Sequence, residues 1–190
     1  MDAGLAAVLG AGVGALGTGG GAIVTGILGR AQARMQLRAE HVRVLREPRR
    51  AAYVAFAECF QRILTRHATA SRFAAAAAET EGPQREEHLR EAEGAYRQAG
   101  DRFHGDMQRL QSAVTVEGPP DVTQAVLRAG EELLADRGTL HRWIRLLASG
   151  TATEEHERDV DDAHLVANSA LVRFLDAASS ALAYDGLSER

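Results

Sequence analysis

The chain has 190 residues, with 22 basic against 26 acidic side chains, a formal net charge of −4, 45% hydrophobic residues and a single cysteine. That length supports one modest domain, and the weakly acidic balance gives no general attraction to nucleic acid. One cysteine excludes an intramolecular disulfide framework.

Residues Ala3 to Leu28 contain no charged side chain and no proline, whereas the rest of the chain is charged throughout. As a helix this stretch would extend ~39 Å, enough to cross about 30 Å of hydrocarbon with tilt. Its small residues follow a register: Ala3, Ala7, Gly10, Gly14, Gly17, Gly21 and Thr25 succeed one another at spacings of four and three and share one helix face. Helices in lipid associate through close backbone contact, so Gly10, Gly14, Gly17 and Gly21 are the expected packing residues of a self-associating transmembrane helix. The competing explanation is composition alone, glycine and alanine being frequent here, but the register is more regular than composition would usually give.

Two other readings compete for this segment. Gly12-Val13-Gly14-Ala15-Leu16-Gly17 matches the dinucleotide fingerprint, in which glycines let pyrophosphate meet a helix N-terminus, and the preceding Leu5 to Leu9 run is strand-like. A dinucleotide fold needs further strands and a timely acidic residue, and the one candidate, His41 to Leu45 followed by Glu47, comes late. Ala31-Gln32-Ala33 resembles a signal-peptidase site, but Asp2 precedes the apolar run while Arg30, Arg34, Arg38, Arg43, Arg46, Arg49 and Arg50 follow it. That polarity places the N-terminus outside and the following chain in the cytoplasm. There Arg30, Arg34 and Arg38 would meet anionic lipid headgroups, and Cys59 would stay reduced as a small core residue.

From Arg30 to Glu47 the chain reads as a basic helix that Pro48 disturbs. Met1 to Arg30, Gln36-Leu37-Arg38-Ala39-Glu40-His41, and Arg46-Glu47-Pro48-Arg49-Arg50 through to Tyr53 resemble uncharacterised single-span membrane proteins of high-GC Gram-positive bacteria. The resemblance implies a single span and no activity, cofactor or catalytic residue.

Beyond Pro48 the periodicity predicts four helices. Tyr53, Phe56, Phe60, Ile63, His67, Ala70, Ala74 and Ala77 form the first apolar stripe, ended by Gly82-Pro83. Leu89, Ala92, Tyr96, Ala99, Phe103, Leu110 and Val114 form the second, in a helix that Gly94, Gly100 and Gly105 weaken. After Gly118-Pro119-Pro120, Asp121 and Gln124 read as a capping pair for a third helix with Val122, Val126, Ala129, Leu133, Leu140, Trp143 and Leu147 inward. Thr151 and Glu154 read as a capping box for a fourth, with Val160, Ala163, Ala167, Ala170, Phe174, Ala177, Ala181 and Tyr184 inward. Short turns between long helices imply an antiparallel bundle. Many alanines limit the burial per layer, and Leu127 and Leu134, beside the third stripe, offer a second apolar face for dimerisation.

Besides the charge asymmetry between the basic flank and the acidic Glu154 to Asp162 stretch, two polar features could carry chemistry. Asp101 with His104, and Asp161 with His164, have the acid-x-x-His spacing of di-iron bundle proteins, with Glu58 and Glu132 as conceivable further carboxylates. Each histidine follows a stripe residue and so lies about 100° off the apolar face, which predicts a solvated surface instead of a metal site. His67 and Asp136 each stand where a stripe expects an apolar residue. A buried pair would satisfy both, as a register device or, less commonly, as a proton-transfer or sensing site.

The expected protein is all-α: a transmembrane anchor (1–29), a basic juxtamembrane helix (30–47), a cytoplasmic helical bundle (48–186) and a disordered tail (187–190). Its expected role is a membrane-anchored, self-associating interaction module with an unidentified protein partner, no nucleic acid and no cofactor or catalysis. The alternatives are a metal-binding bundle enzyme or sensor and a dinucleotide-binding protein.

Overall fold

Pro48 lies within the first described turn of a helix. A computed structural model describes residues 46–183, with the side chains of all but 101–104, and helix is already formed at 46 and continuous through 79 (α1). The ring fixes φ near the helical value, so the proline is compatible with the helical turns that follow it. The elements that follow are α2 (Gly82–Arg102), a five-residue π turn (Phe103–Met107), α3 (Gln108–Glu117), α4 (Pro120–Ser149) and α5 (Glu154–Ala183). Among the described residues there is no strand, and no helix is long and apolar enough to cross a membrane. The anchor, the juxtamembrane segment up to residue 45 and the tail, with Gly10, Gly14, Gly17, Gly21, Arg30, Arg34 and Arg38, lie outside the described residues.

Packing fixes the topology. Residues of α1 before position 65 cluster with Val122 to Leu133 of α4 and with Ala167 to Ala178 of α5. Ala70 and Ala74 of α1 cluster instead with Leu140 to Leu147 of α4 and with Val160 of α5. α1 and α4 therefore run parallel and α5 antiparallel to both, the up-down-up-down order that short turns enforce. The α1, α4 and α5 stripes are buried as the periodicity predicts, apart from partly exposed Ala163, Ala177 and Ala181 and from Tyr184, which lies outside the described residues.

The second stripe is modified by the π turn. In an uninterrupted α-helix Met107 would lie about 80° round from Ala99. The wider turn winds less per residue and returns it to the same side, so Met107 is buried at 2% exposure in a core that the periodicity had not assigned to it. The glycine-weakened region, with Gly105 inside the turn, is where the helix gives way.

Both predicted caps are displaced. α4 begins with Pro120 at its first position and Pro119 as the cap, with no side-chain capping bond, so Asp121 contributes only its charge beside the helix N-terminus. At α5 the capping pair is Thr153 and His156: the Thr153 backbone N–H donates to His156 Nδ1 at 3.2 Å, and its hydroxyl lies 2.7 Å from the same nitrogen. An imidazole thus takes the place of the glutamate of a capping box. Thr151 bonds Ser149 instead, hydroxyl to hydroxyl, at 2.8 Å. Gly150 closes α4 with φ +74°, where any side chain is strained, and its N–H reaches the last carbonyls.

Phe174 is fully buried and packs edge-on against Phe56, with ring centroids 4.7 Å apart. Phe174→Ala should cost about 3–5 kcal/mol in urea unfolding, whereas Val116→Ala, at a site 82% exposed, should change stability by less than about 0.5 kcal/mol.

Candidate functional site

The two apolar clusters meet at one level of the bundle, and that level is polar. On α1 the clusters end at Leu64 and resume at Ala70; on α4 they end at Leu133 and resume at Leu140; on α5 the break falls between Val160 and Ala167. His67, Asp136 and His164 occupy those three breaks. On α2 the same level carries Tyr96, between Ala95 of one cluster and Ala99 of the other.

His67 and Asp136 form the pair that their stripe positions anticipate. Nδ1 of His67 lies 2.6 Å from Oδ2 of Asp136, and both side chains are 1% exposed. Since a carboxylate can only accept, Nδ1 carries the proton. Nε2 of His67 is buried with no hydrogen-bond partner among the described residues. A second ring proton would place an unsatisfied N–H donor in the apolar interior, so the neutral Nδ1–H tautomer is the form that fits.

His164 corrects the sequence reading. Its imidazole does not face water with Asp161; it is one-third exposed, and its Nδ1 stands 3.5 Å from Oδ1 of Asp136. At that distance the contact is an ion pair more than a hydrogen bond, and Oδ1 has no closer partner among the described residues. Burial alone would push the Asp136 carboxyl up, but the His164 imidazole facing it and the hydrogen bond from His67 outweigh it and hold Asp136 below the usual carboxylate value. The bond to Asp136 raises His164 above the ordinary histidine value against the opposing effect of burial, and the charges of Asp136 and Asp161 add to the rise.

Aromatic stacking continues the layer outward. The Tyr96 ring lies nearly parallel to His67 at 6.4 Å, and to His141 at 5.1 Å on its way to solvent. The guanidinium of Arg137 sits 5.4 Å from the Tyr96 centroid, within cation–π range. Gly100, one turn beyond Tyr96, makes room: a Cβ there would lie 2.8 Å from the Arg137 guanidinium.

The layer does not resemble a metal centre. Among the described residues no three His, Cys, Asp or Glu side chains are grouped to hold an ion. Asp161 is exposed, Glu58 pairs with Arg62 at 3.7 Å and Glu132 with Arg128 at 2.8 Å. Asp101 and His104 lie outside the described side chains, and the glycine fingerprint lies outside the described residues altogether. Two surface clefts of about 260 and 270 Å³, one along α1 at Arg62 and Arg66, the other beside Arg85 and Glu154, do not reach the His67–Asp136 pair. No family model matches this chain, and neither a curated protein nor a solved structure does.

The tautomer is directly observable. In a long-range ¹H–¹⁵N correlation spectrum, His67 should show a protonated Nδ1 and a bare Nε2; the reverse assignment would mean that Asp136 is not its acceptor.

Proposed function

We propose that this protein is a membrane-anchored helical interaction module that self-associates and presents a cytoplasmic bundle to a protein partner, without catalysis of its own. The observation that carries the bundle's part is the run of large aliphatic side chains left on the outside of α4 and α5. Leu165 is 64% exposed, and Leu127, Leu134, Val166, Val172 and Leu175 are between 43% and 54% exposed. Single exposed leucines are ordinary, but this many on two adjacent helices, together with an alanine-rich interior, favour association as a source of further burial. The anchor's part rests on the uncharged Ala3 to Leu28 segment and the arginines that follow it.

The reading has a two-part test. A cytoplasm-active reporter fused at the C-terminus should function and an export-dependent one should fail; the opposite result would reverse the orientation. In a membrane-association assay of the full chain, Gly14→Ile and Gly17→Ile should each weaken dimerisation by about 1 kcal/mol or more, while Val13→Ile, off the small-residue face, should have little effect. Equal behaviour of all three would reduce the segment to an anchor alone.

A further inference from the structure

Most of the charge in this bundle is on its surface, and the exception is a carboxylate sealed between two imidazoles that differ in one respect. His67 is enclosed, whereas His164 is one-third exposed and can exchange a proton with water. We propose that the His67–Asp136–His164 layer is a proton-operated latch that holds the first half of α5 against α1 and α4 while His164 is protonated and loosens it when His164 is neutral.

The charge balance follows from the geometry. His67 serves Asp136 as a neutral donor, so the one group positioned to neutralise the buried carboxylate is His164 at 3.5 Å. With His164 protonated the layer is neutral overall, and a small closure of the 3.5 Å gap makes a charge-assisted hydrogen bond. With His164 neutral, Asp136 carries an uncompensated charge in the interior, which favours opening of the structure to water. The least costly opening moves α5, because His67 and Asp136 keep their 2.6 Å bond. Such a movement would uncover the inward residues of the first half of α5, Val160 and Ala167.

The groups facing the layer from each helix are His67 on α1, Tyr96 on α2, Asp136, Arg137 and His141 on α4, and Asp161 beside His164 on α5. Arg137 and His141 are engaged with the Tyr96 ring, and Asp161 favours the protonated form of His164. The sign of the pH dependence is therefore fixed. His164 has its pKa raised on folding, so its contribution is full below pH 6.5 and lost as pH rises through the folded value. Asp136 has its pKa lowered, so its contribution is full above pH 3.8 and lost only as pH falls through the folded value. The latch is tightest in mildly acidic solution and slackens as pH rises through the folded His164 value.

The test is native-state hydrogen exchange on the full chain at several pH values from 5 to 8, corrected for intrinsic rates, with His164→Gln alongside. Protection of the amides in the first half of α5 should fall severalfold on going from pH 6 to pH 8 in the natural sequence. In His164→Gln it should already be low at pH 6 and stay flat, while amides of α1 near His67 change little in either protein. Asp136→Asn, which removes the charge and keeps the shape, should also abolish the dependence. Should the variants fail to fold, the His164 ring resonances of the natural protein decide. A midpoint above 6.5 accompanied by α5 shifts supports the latch; a midpoint at or below 6.5, α5 protection independent of pH, or an unchanged slope in His164→Gln overturns it.

Discussion

The rest of the bundle is arranged around a single carboxylate, Asp136, that cannot leave its place without losing its partners. Burying an ion in a medium of low dielectric costs several kcal/mol, and the cost is met only where donors are held at the right distance. Here one donor comes from α1 at 2.6 Å and another from α5 at 3.5 Å, so α1, α4 and α5 are tied at one height. Apolar stripes of leucine and alanine tolerate sliding by a turn, since one apolar contact replaces another. A slide of one turn, about 5.4 Å, would leave Asp136 among aliphatic side chains. The layer thus specifies register, a use of buried polar pairs better attested than any gain in stability.

The layer also divides the interior into two halves of different character. The half holding Tyr53, Phe56, Phe60 and Phe174 is rich in aromatic rings that meet edge to face. In the other half Trp143, Leu140, Ile144 and Leu147 of α4 stand against Ala70 and Ala74 of α1 and Ala92 and Ala95 of α2. Large residues from one helix against small ones from two others let the helices approach closely, but each alanine contributes little transfer energy. The π turn falls beyond Ala99, already within the aromatic half, and there it re-aims Met107 into the core.

The stripes were legible in the sequence because a helix in a bundle repeats its apolar face at 3.6 residues per turn, and His67 and Asp136 were legible as interruptions of that repeat. His164 was misread for a physical reason. A helix with two neighbours buries its flanks as well as its centre, and an imidazole about 100° off the stripe can still reach the interior along such a flank. Met107 was missed because the stripe was extended as pure α-helix. The caps were misplaced because proline supplies a helix start without a side-chain bond, and because His156 fills a role usually given to glutamate. The stack of Tyr96 with His141 and Arg137 joins two helices and leaves no local signal in either.

If Asp136 and His67 set the register, their energies must be coupled, and a double-mutant cycle reads that coupling directly. Urea unfolding of His67→Leu, Asp136→Leu and the double variant, compared with the natural chain, supplies the four corners. His67→Leu, which deprives a buried carboxylate of its nearest donor, should cost about 3–5 kcal/mol, and Asp136→Leu, which leaves a neutral imidazole unpaired, about 1–3 kcal/mol. The account predicts a double variant no less stable than His67→Leu alone, because the second substitution removes the stranded charge. Costs that simply add would contradict it.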